Sequence, residues 1–460
     1  MPLCAALTAL VLFFVADAWL KHAPHPGFAP AAAWTVYAPD ARRAWDAFQD
    51  HAPGPALFKE LGGPLQDAQL AARLALGVRP TPERFRRWCG PGVLAWGSHG
   101  EVGGCIRPGV LMRAAAFFHR HQQDADGIRE HGGVFYVWRD GYVLLSRSRP
   151  FLLESMAKAA PYVPARSVDE SGMLLEWGRG SSEADATGQV VIQGEAGWPL
   201  EGRLNLKLGE SNALLELHQV WPETPLAALH VLAPEDLQIC ADYAARLPLP
   251  RPVAPPWFGA MKDAVFSAWP LEETIAPFFD GASECGLAWM DLDTRAAVPI
   301  PSAACAARKE SQPLSSALTK NISAAGGFPH EWHGLPGYRI PYLGEAFAVC
   351  FAARGGTAYG TTNSGLMSDL LGHVPDAVGF HASLFFTVDA AQLAKHGIAL
   401  ARRAAELELL SRQGPRDFER SILPWINAMA KLGRIEIIGE SVDGGLKIKG
   451  RFLSPQGISP

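Results

Sequence analysis

Apolar and polar positions alternate along this chain in short runs, and the runs are separated by stretches of helical spacing. The stretch "GGVFYVWRDGYVLLSRSRPFLLESMAKA" (132–159) predicts a strand, a turn, a second strand and a helix. A segment of the same shape returns as "EAFAVCFAARGGTAYGTTNSGLMSDLLG" (345–372). Aligning Ser146-Arg147-Ser148 with Thr361-Thr362-Asn363 puts a small polar residue just before each helix, where its side chain can accept an orphan backbone N–H.

Other segments recur in the same order. "WTVYAPDARRAWDAF" (34–48) reads as a strand ending in Ala38-Pro39-Asp40 and then a helix; "LHVLAPEDLQICADYA" (229–244) does the same at Ala233-Pro234-Glu235. The tripeptide Leu-Ala-Trp stands on a strand at 94–96 and again at 287–289, each time between two cysteines. "MLLEW" (173–177) matches "SLFFTV" (383–388), and a hairpin over 190–208 matches one over 434–453. The second series carries a long helical insertion, about 389–432. The expected build is therefore α+β: two similar domains from an internal duplication, over 34–222 and 223–460. Each is a mostly antiparallel sheet with helices on one face.

Composition sharpens this picture. With 460 residues the chain exceeds one ordinary core, and 48% hydrophobic against 19% charged residues marks a folded protein. A net charge of −5, with no Lys/Arg run longer than a pair such as Arg86-Arg87 or Arg402-Arg403, argues against a nucleic-acid partner. Residues 1–21 begin "MPLCAALTALVLFFVADAWL", almost wholly apolar but for Asp17, which reads as a transmembrane anchor or a signal segment cleaved after Ala16-Asp17-Ala18. A Pro/Ala linker, 22–33, follows. The expected location is the cell inner membrane, single-pass, with the folded part in the periplasm.

Seven cysteines are present, and six lie beyond the apolar start. In an oxidising compartment Cys89 would pair with Cys105 and Cys285 with Cys305; the other reading is buried reduced thiols. No C-x-x-C spacing suggests zinc.

Candidate chemistry is sparse. His330-Glu331-Trp332-His333 looks metal-like, yet Pro329, Gly334 and Pro336 around it predict a surface loop, and the H-E-x-x-H spacing is missing. His119 and His121 lie late in an amphipathic helix and point in different directions. Asp291 and Asp293 alternate with Met290 and Leu292, as on a half-exposed strand. "GASECG" (281–286) is the nearest approach to a nucleophile elbow and lacks its final glycine; phosphate and dinucleotide loops do not occur. Among the 14 tryptophans, Trp96, Trp138, Trp177 and Trp289 read as core, while Trp198, Trp257 and Trp332 sit near Pro or Gly in loops. No catalytic, cofactor-binding or metal residues are assigned, and no cofactor is expected.

The order of elements resembles a family of uncharacterised bacterial envelope proteins, a domain of unknown function carrying an anchor or signal. The likeness rests on the segment 141–152, the "L-F-F-x-V-D" strand at 384–389 and the hairpin at 439–451. It implies an envelope protein partner, membrane attachment through the N-terminal helix and no established catalytic residues. The functional expectation is a non-catalytic binding or scaffold protein held at the membrane, such as an accessory subunit of a membrane complex. The alternatives are a hydrolase or transferase with a site between the two domains, and a lipid carrier.

Overall fold

The computed structural model describes residues 12–18, 27–30, 32–60, 89–98, 101–118, 126–131, 133–178, 186–209, 212–247, 277–293, 300–310, 313–341, 347–374, 379–406 and 423–453. The chain divides into two compact units, Met1–Asn205 with Arg246–Pro250, and Leu206–Ala245 with Arg251–Pro460.

The first unit contains, in chain order, β1 (Phe28–Ala29), β2 (Trp34–Ala38), α1 (Ala41–Asp50), α2 (Gly54–Glu60), β3 (Cys89–Ser98), β4 (Glu101–Pro108) and α3 (Val110–Phe118). There follow β5 (Arg129–His131), β6 (Val134–Arg139), β7 (Tyr142–Ser146), α4 (Arg149–Lys158), β8 (Ala160–Pro161), β9 (Met173–Trp177), β10 (Gly188–Ile192) and β11 (Leu200–Leu204). Its large sheet is antiparallel throughout, in the order β5-β6-β7-β4-β3-β2-β9-β10-β11. The short strands β1 and β8 form a separate antiparallel ribbon.

In the second unit β12 (Ala213–Leu215) and a 3-10 turn (Leu217–Gln219) precede β13 (Ala227–Val231), α5 (Pro234–Arg246), β14 (Glu284–Asp293), β15 (Ile300–Arg308) and α6 (Ser316–Ala324). Next come β16 (Phe328–Trp332), β17 (Leu335–Pro341), β18 (Ala348–Arg354), β19 (Thr357–Thr361), α7 (Ser364–Gly372), β20 (Phe380–Ala382) and β21 (Leu384–Asp389). The unit ends with α8 (Ala390–Glu406), α9 (Leu423–Leu432), β22 (Arg434–Val442) and β23 (Gly445–Leu453). Its sheet is also antiparallel, in the order β16-β17-β18-β19-β15-β14-β13-β21-β22-β23, and β12 pairs with β20 as a second ribbon.

Local chemistry explains where these elements start and turn. Asp40, Ser148, Ser315 and Asn363 each cap a helix, their side-chain oxygens accepting N–H groups of the first turn. The hairpin β6–β7 turns at Asp140-Gly141 and β18–β19 at Gly355-Gly356, all with positive φ, which suits the twist of the flanking strands. At the far end of each helix that follows, an arginine from the preceding hairpin satisfies the orphan carbonyls. Arg139 donates to the Met156 carbonyl, and Arg354 donates to those of Leu371 and His373.

The large sheets are α+β as expected, but helices cover both faces instead of one. In the second unit α7 buries Leu366, Met367, Leu370 and Leu371 against Ala306, Cys350, Ala352 and Tyr359. On the opposite face α6 buries Leu318 and Ile322 against Ala307, Val349, Phe351 and Ala358. Neighbouring residues thus alternate between two cores, which is why β19 is buried at every position. The first unit repeats this, with Leu152 of α4 packed on Leu94, Cys105 and Leu144, and Met112 of α3 packed on Ile106 and Val143.

Two expectations are corrected here. The expected transmembrane anchor, and the single-pass inner-membrane placement built on it, is overturned because among the described residues no helix is long and apolar enough to cross a membrane. Residues 12–18 are helical, and Asp17 accepts the Val110 N–H at 2.8 Å at the start of α3. Residues 1–11 and 19–26 lie outside the described residues. Within 22–33 the described Phe28 is buried, meets the Tyr142 ring edge-on with centroids 5.2 Å apart, and sits in the β1–β8 ribbon.

The expected disulfides Cys89–Cys105 and Cys285–Cys305 are likewise overturned, since all six described cysteines are free thiols. Register forbids the bonds. Cys89 stands opposite Pro108 while Cys105 stands opposite Leu94, an offset of about 10 Å along the strands. Cys285 stands opposite Ala307 and Cys305 opposite Leu287, about 7 Å along and about 5 Å across. Both separations exceed the roughly 7 Å Cα limit for a bridge.

Candidate functional site

A group of buried polar side chains lies on the α7 face of the second sheet, beneath the segment that runs from β12 through the 3-10 turn. Three strands supply it. Glu284 opens β14, His230 stands on β13 opposite Gly286, and Phe385 stands on β21 opposite His230. Gly286 is required here for space: a Cβ would come within 2.8 Å of His230 Nδ1. Leu217, His218 and Trp221 of the covering segment complete the group.

Glu284 is 2% exposed and His230 is 0% exposed. Oε1 of Glu284 accepts the N–H groups of Glu216 at 2.9 Å and Leu217 at 2.7 Å, and Oε2 accepts from Glu216 at 3.0 Å. The carboxyl therefore holds the first turn of the 3-10 segment to the sheet. Burial raises its pKa to about 7, against the pull of the Leu217 N–H. His230 accepts the Trp221 indole N–H at 3.0 Å, and burial, reinforced by His218, lowers its pKa to about 3. The His218 ring packs on Phe380 at 4.5 Å and Phe385 at 5.5 Å, and burial lowers its pKa too.

The first unit uses different residues in the same manner. The Trp96 indole donates to Ser155 Oγ of α4 at 3.1 Å, and Tyr162, just beyond β8, donates its hydroxyl to the buried carboxylate of Glu176. Elsewhere in the second unit the buried Lys309 ammonium lies 5.9 Å from the Phe278 ring centroid, and burial lowers its pKa.

The residues singled out by sequence do not converge. His330 meets the Trp332 ring edge-on with centroids 4.4 Å apart, whereas exposed His333 turns to Ser368 Oγ of α7 at 2.7 Å. This stretch is strand β16 and a two-residue turn, His333-Gly334, both with positive φ, and not a loop. Pro329 and Pro336 are tolerated because they fall at the non-hydrogen-bonded pairs of the hairpin, where no ladder N–H is required. Asp291 is exposed and lies 3.1 Å from His396. The side chain of Asp293, and His119, His121 and Trp257, lie outside the described residues. Among the described residues no three His, Cys, Asp or Glu side chains gather as metal ligands. Cys285 of "GASECG" is buried, its thiol pKa raised to about 12 by burial. Trp198 and Trp332, expected in loops, are buried, Trp198 against Phe48 at 4.8 Å and Trp332, at the end of β16, with its indole donating to Ser364 Oγ at 3.1 Å.

Sequence reasoning missed Glu284, His230 and Trp221. The available signal was a lone Glu beginning an apolar strand and a lone His inside another, in "SECGLAW" and "ALHVL". No family model matches this chain, and neither a curated protein nor a solved structure matches it significantly.

Proposed function

We propose that this protein is a non-catalytic binding or scaffold protein made of two copies of one α+β module, and that its partner is another protein. The observation that carries the non-catalytic reading is where the buried polar chemistry is directed. Trp96 to Ser155, Tyr162 to Glu176, Trp221 to His230, and Glu284 to the Glu216 and Leu217 amides all fasten a covering helix or segment onto a sheet face. These groups tie elements together; they do not converge on a shared reacting point.

Register supports the duplication. From Ser146, two residues before the cap Ser148, the cross-strand row runs Gly103, Trp96, Thr35, Glu176, Gln189, Arg203. From Thr361, two residues before the cap Asn363, it runs Ala304, Ala288, Ala228, Thr387, Glu436, Arg451. Both rows end on an arginine preceded by a glycine, Gly202 and Gly450. Thr35 and Ala228 stand at the same spacing before the first helix, which begins at Ala41 and Pro234. The ribbons correspond as well: in each unit a short strand before the first long strand pairs with one after the capped helix. A two-module protein offers a partner two related surfaces.

The test is chemical cross-linking of the full-length protein in its native host, followed by purification and mass spectrometry. A stoichiometric protein complex, with cross-links confined to a fixed set of surface peptides, is the expected result. A lone chain that turns over members of an ester, phosphoester and glycoside panel would overturn the reading. An experimental structure in which 27–204 and 213–453 fail to superimpose strand for strand would remove the duplication alone.

A further inference from the structure

On the α6 face of the second sheet, just beyond β15, a cation is sealed in without an acceptor. Lys309 is 5% exposed, and no hydrogen-bond partner reaches its Nζ. The Phe278 ring centroid lies 5.9 Å from the ammonium, at the outer limit of a cation–π contact. We propose that Lys309 is a built-in weak point that sets the segment 277–283 to open locally, ahead of the sheet beneath it.

Backbone bonds hold the lysine on both sides. Its N–H donates to the Gly356 carbonyl at 2.9 Å, and the Arg308 carbonyl before it accepts the Ser283 N–H at 2.9 Å. The ammonium therefore reaches water when its cover lifts, not when its own backbone moves. That cover is Phe278, which has no exposure and packs among Ala307, Leu318, Ile322 and Phe351. From there the chain rises at once to the surface: Asp280, Gly281 and Ser283 are exposed, and Gly281 turns with a φ of 69°. A buried charge without an acceptor loses its hydration and gains no bond in return. Lifting 277–283 restores the hydration; opening elsewhere in the sheet does not. The strain is thus confined to this segment.

The surrounding charges leave the ammonium unanswered. Asp280 on the turn and Cys285 on β14 attract it only through space, and burial outweighs both, lowering the lysine pKa from 10.5. Arg308 pairs with Glu216, and Arg354, in the hairpin that includes Gly356, is taken up by the end of α7. From the start of α5, Glu235 acts on Cys285. Opened into water, the amine returns to 10.5, so the cost of sealing it is complete at neutral pH and fades as the pH climbs through that value. On the two-copy reading Lys309 corresponds to Pro108 of the first module, so the weak point belongs to the second alone.

Hydrogen exchange of the full-length chain at pH 7, over a series of urea concentrations below the unfolding midpoint, tests this through the Ala282 and Ser283 amides. In the unaltered protein they should exchange at least tenfold faster than the amides of β14 and β15, at a rate that barely responds to urea. Lys309→Met should raise their protection at least tenfold. It should also raise the urea midpoint at pH 7, and that gain should shrink at pH 10.5. Exchange at 282 and 283 that follows global unfolding across the urea series overturns the proposal. So does protection that is unchanged or lower in Lys309→Met. A gain of equal size at both pH values also overturns it, because it would report packing and not charge.

Discussion

The indole N–H of Trp221 donates to Nε2 of His230 across 3.0 Å, at an imidazole with no solvent exposure. The bond fixes the tautomer, because an accepting Nε2 leaves the ring proton on Nδ1. With the folded pKa lowered to about 3, the histidine's contribution is fully present above about 6.5, where the unfolded ring is also neutral. It is lost as the pH falls from there toward 3. His230→Phe leaves the indole unpaired and is expected to cost about 1–3 kcal/mol at pH 7. Urea midpoints for both proteins at pH 7 and pH 4 should show the gap narrowing in acid.

Gly286→Ala should destabilise the second unit, because the new Cβ would lie 2.8 Å from His230 Nδ1 and 3.2 Å from the Trp221 ring. Overpacking of this kind costs about 1–3 kcal/mol. Pairing it with His230→Ala in a double-mutant cycle should recover part of that loss, and strict additivity would place the strain elsewhere.

The caps Ser148 and Asn363 accept the Phe151 amide at 3.4 Å and the Leu366 amide at 2.7 Å. Ser148→Ala and Asn363→Ala should each lower stability by about 1 kcal/mol, and the glycine variants by a few tenths. Thermal or urea unfolding of the four single variants checks the ranking.

The thiols of Cys240, Cys285 and Cys305 titrate at about 12 and that of Cys105 at about 11, in each case because burial penalises the thiolate. In the native protein at pH 8 these cysteines should resist alkylation by iodoacetamide and react once unfolded in urea. Peptide mapping without reductant should recover Cys89, Cys105, Cys285 and Cys305 as alkylated thiols, not as cross-linked pairs.

Much of the strand order was legible, but exact register was not. Ser148 and Asn363 were readable as caps because capping is a local demand of three or four residues. The Leu-Ala-Trp repeat misled: Leu94 and Trp96 are fully buried, whereas Leu287 is 39% exposed and Ala288 points inward. One residue of slip reverses every side chain on a strand, and short apolar words do not reveal it. The cysteine pairing failed for that reason, having been inferred from the same tripeptide. Burial of both sheet faces was hidden because β18 is a nearly continuous apolar run, which periodicity cannot assign to one core or two, and β19 carries two threonines that read as polar though they are buried. Glu284 was invisible as a site because its partners, Glu216 and Leu217, lie far away in sequence and contribute only backbone amides.

Every strand of the first sheet comes from one uninterrupted stretch that ends at Leu204. During synthesis, the strands β2 to β7 and β9 to β11 have their neighbours within that sheet before Ala213, the opening residue of the next ribbon, is added. Its assembly is thus free to run vectorially, each new segment joining a surface already laid down. The second sheet has no such freedom: β13 must wait for β21, roughly 150 residues later, and stays half-paired in the interval.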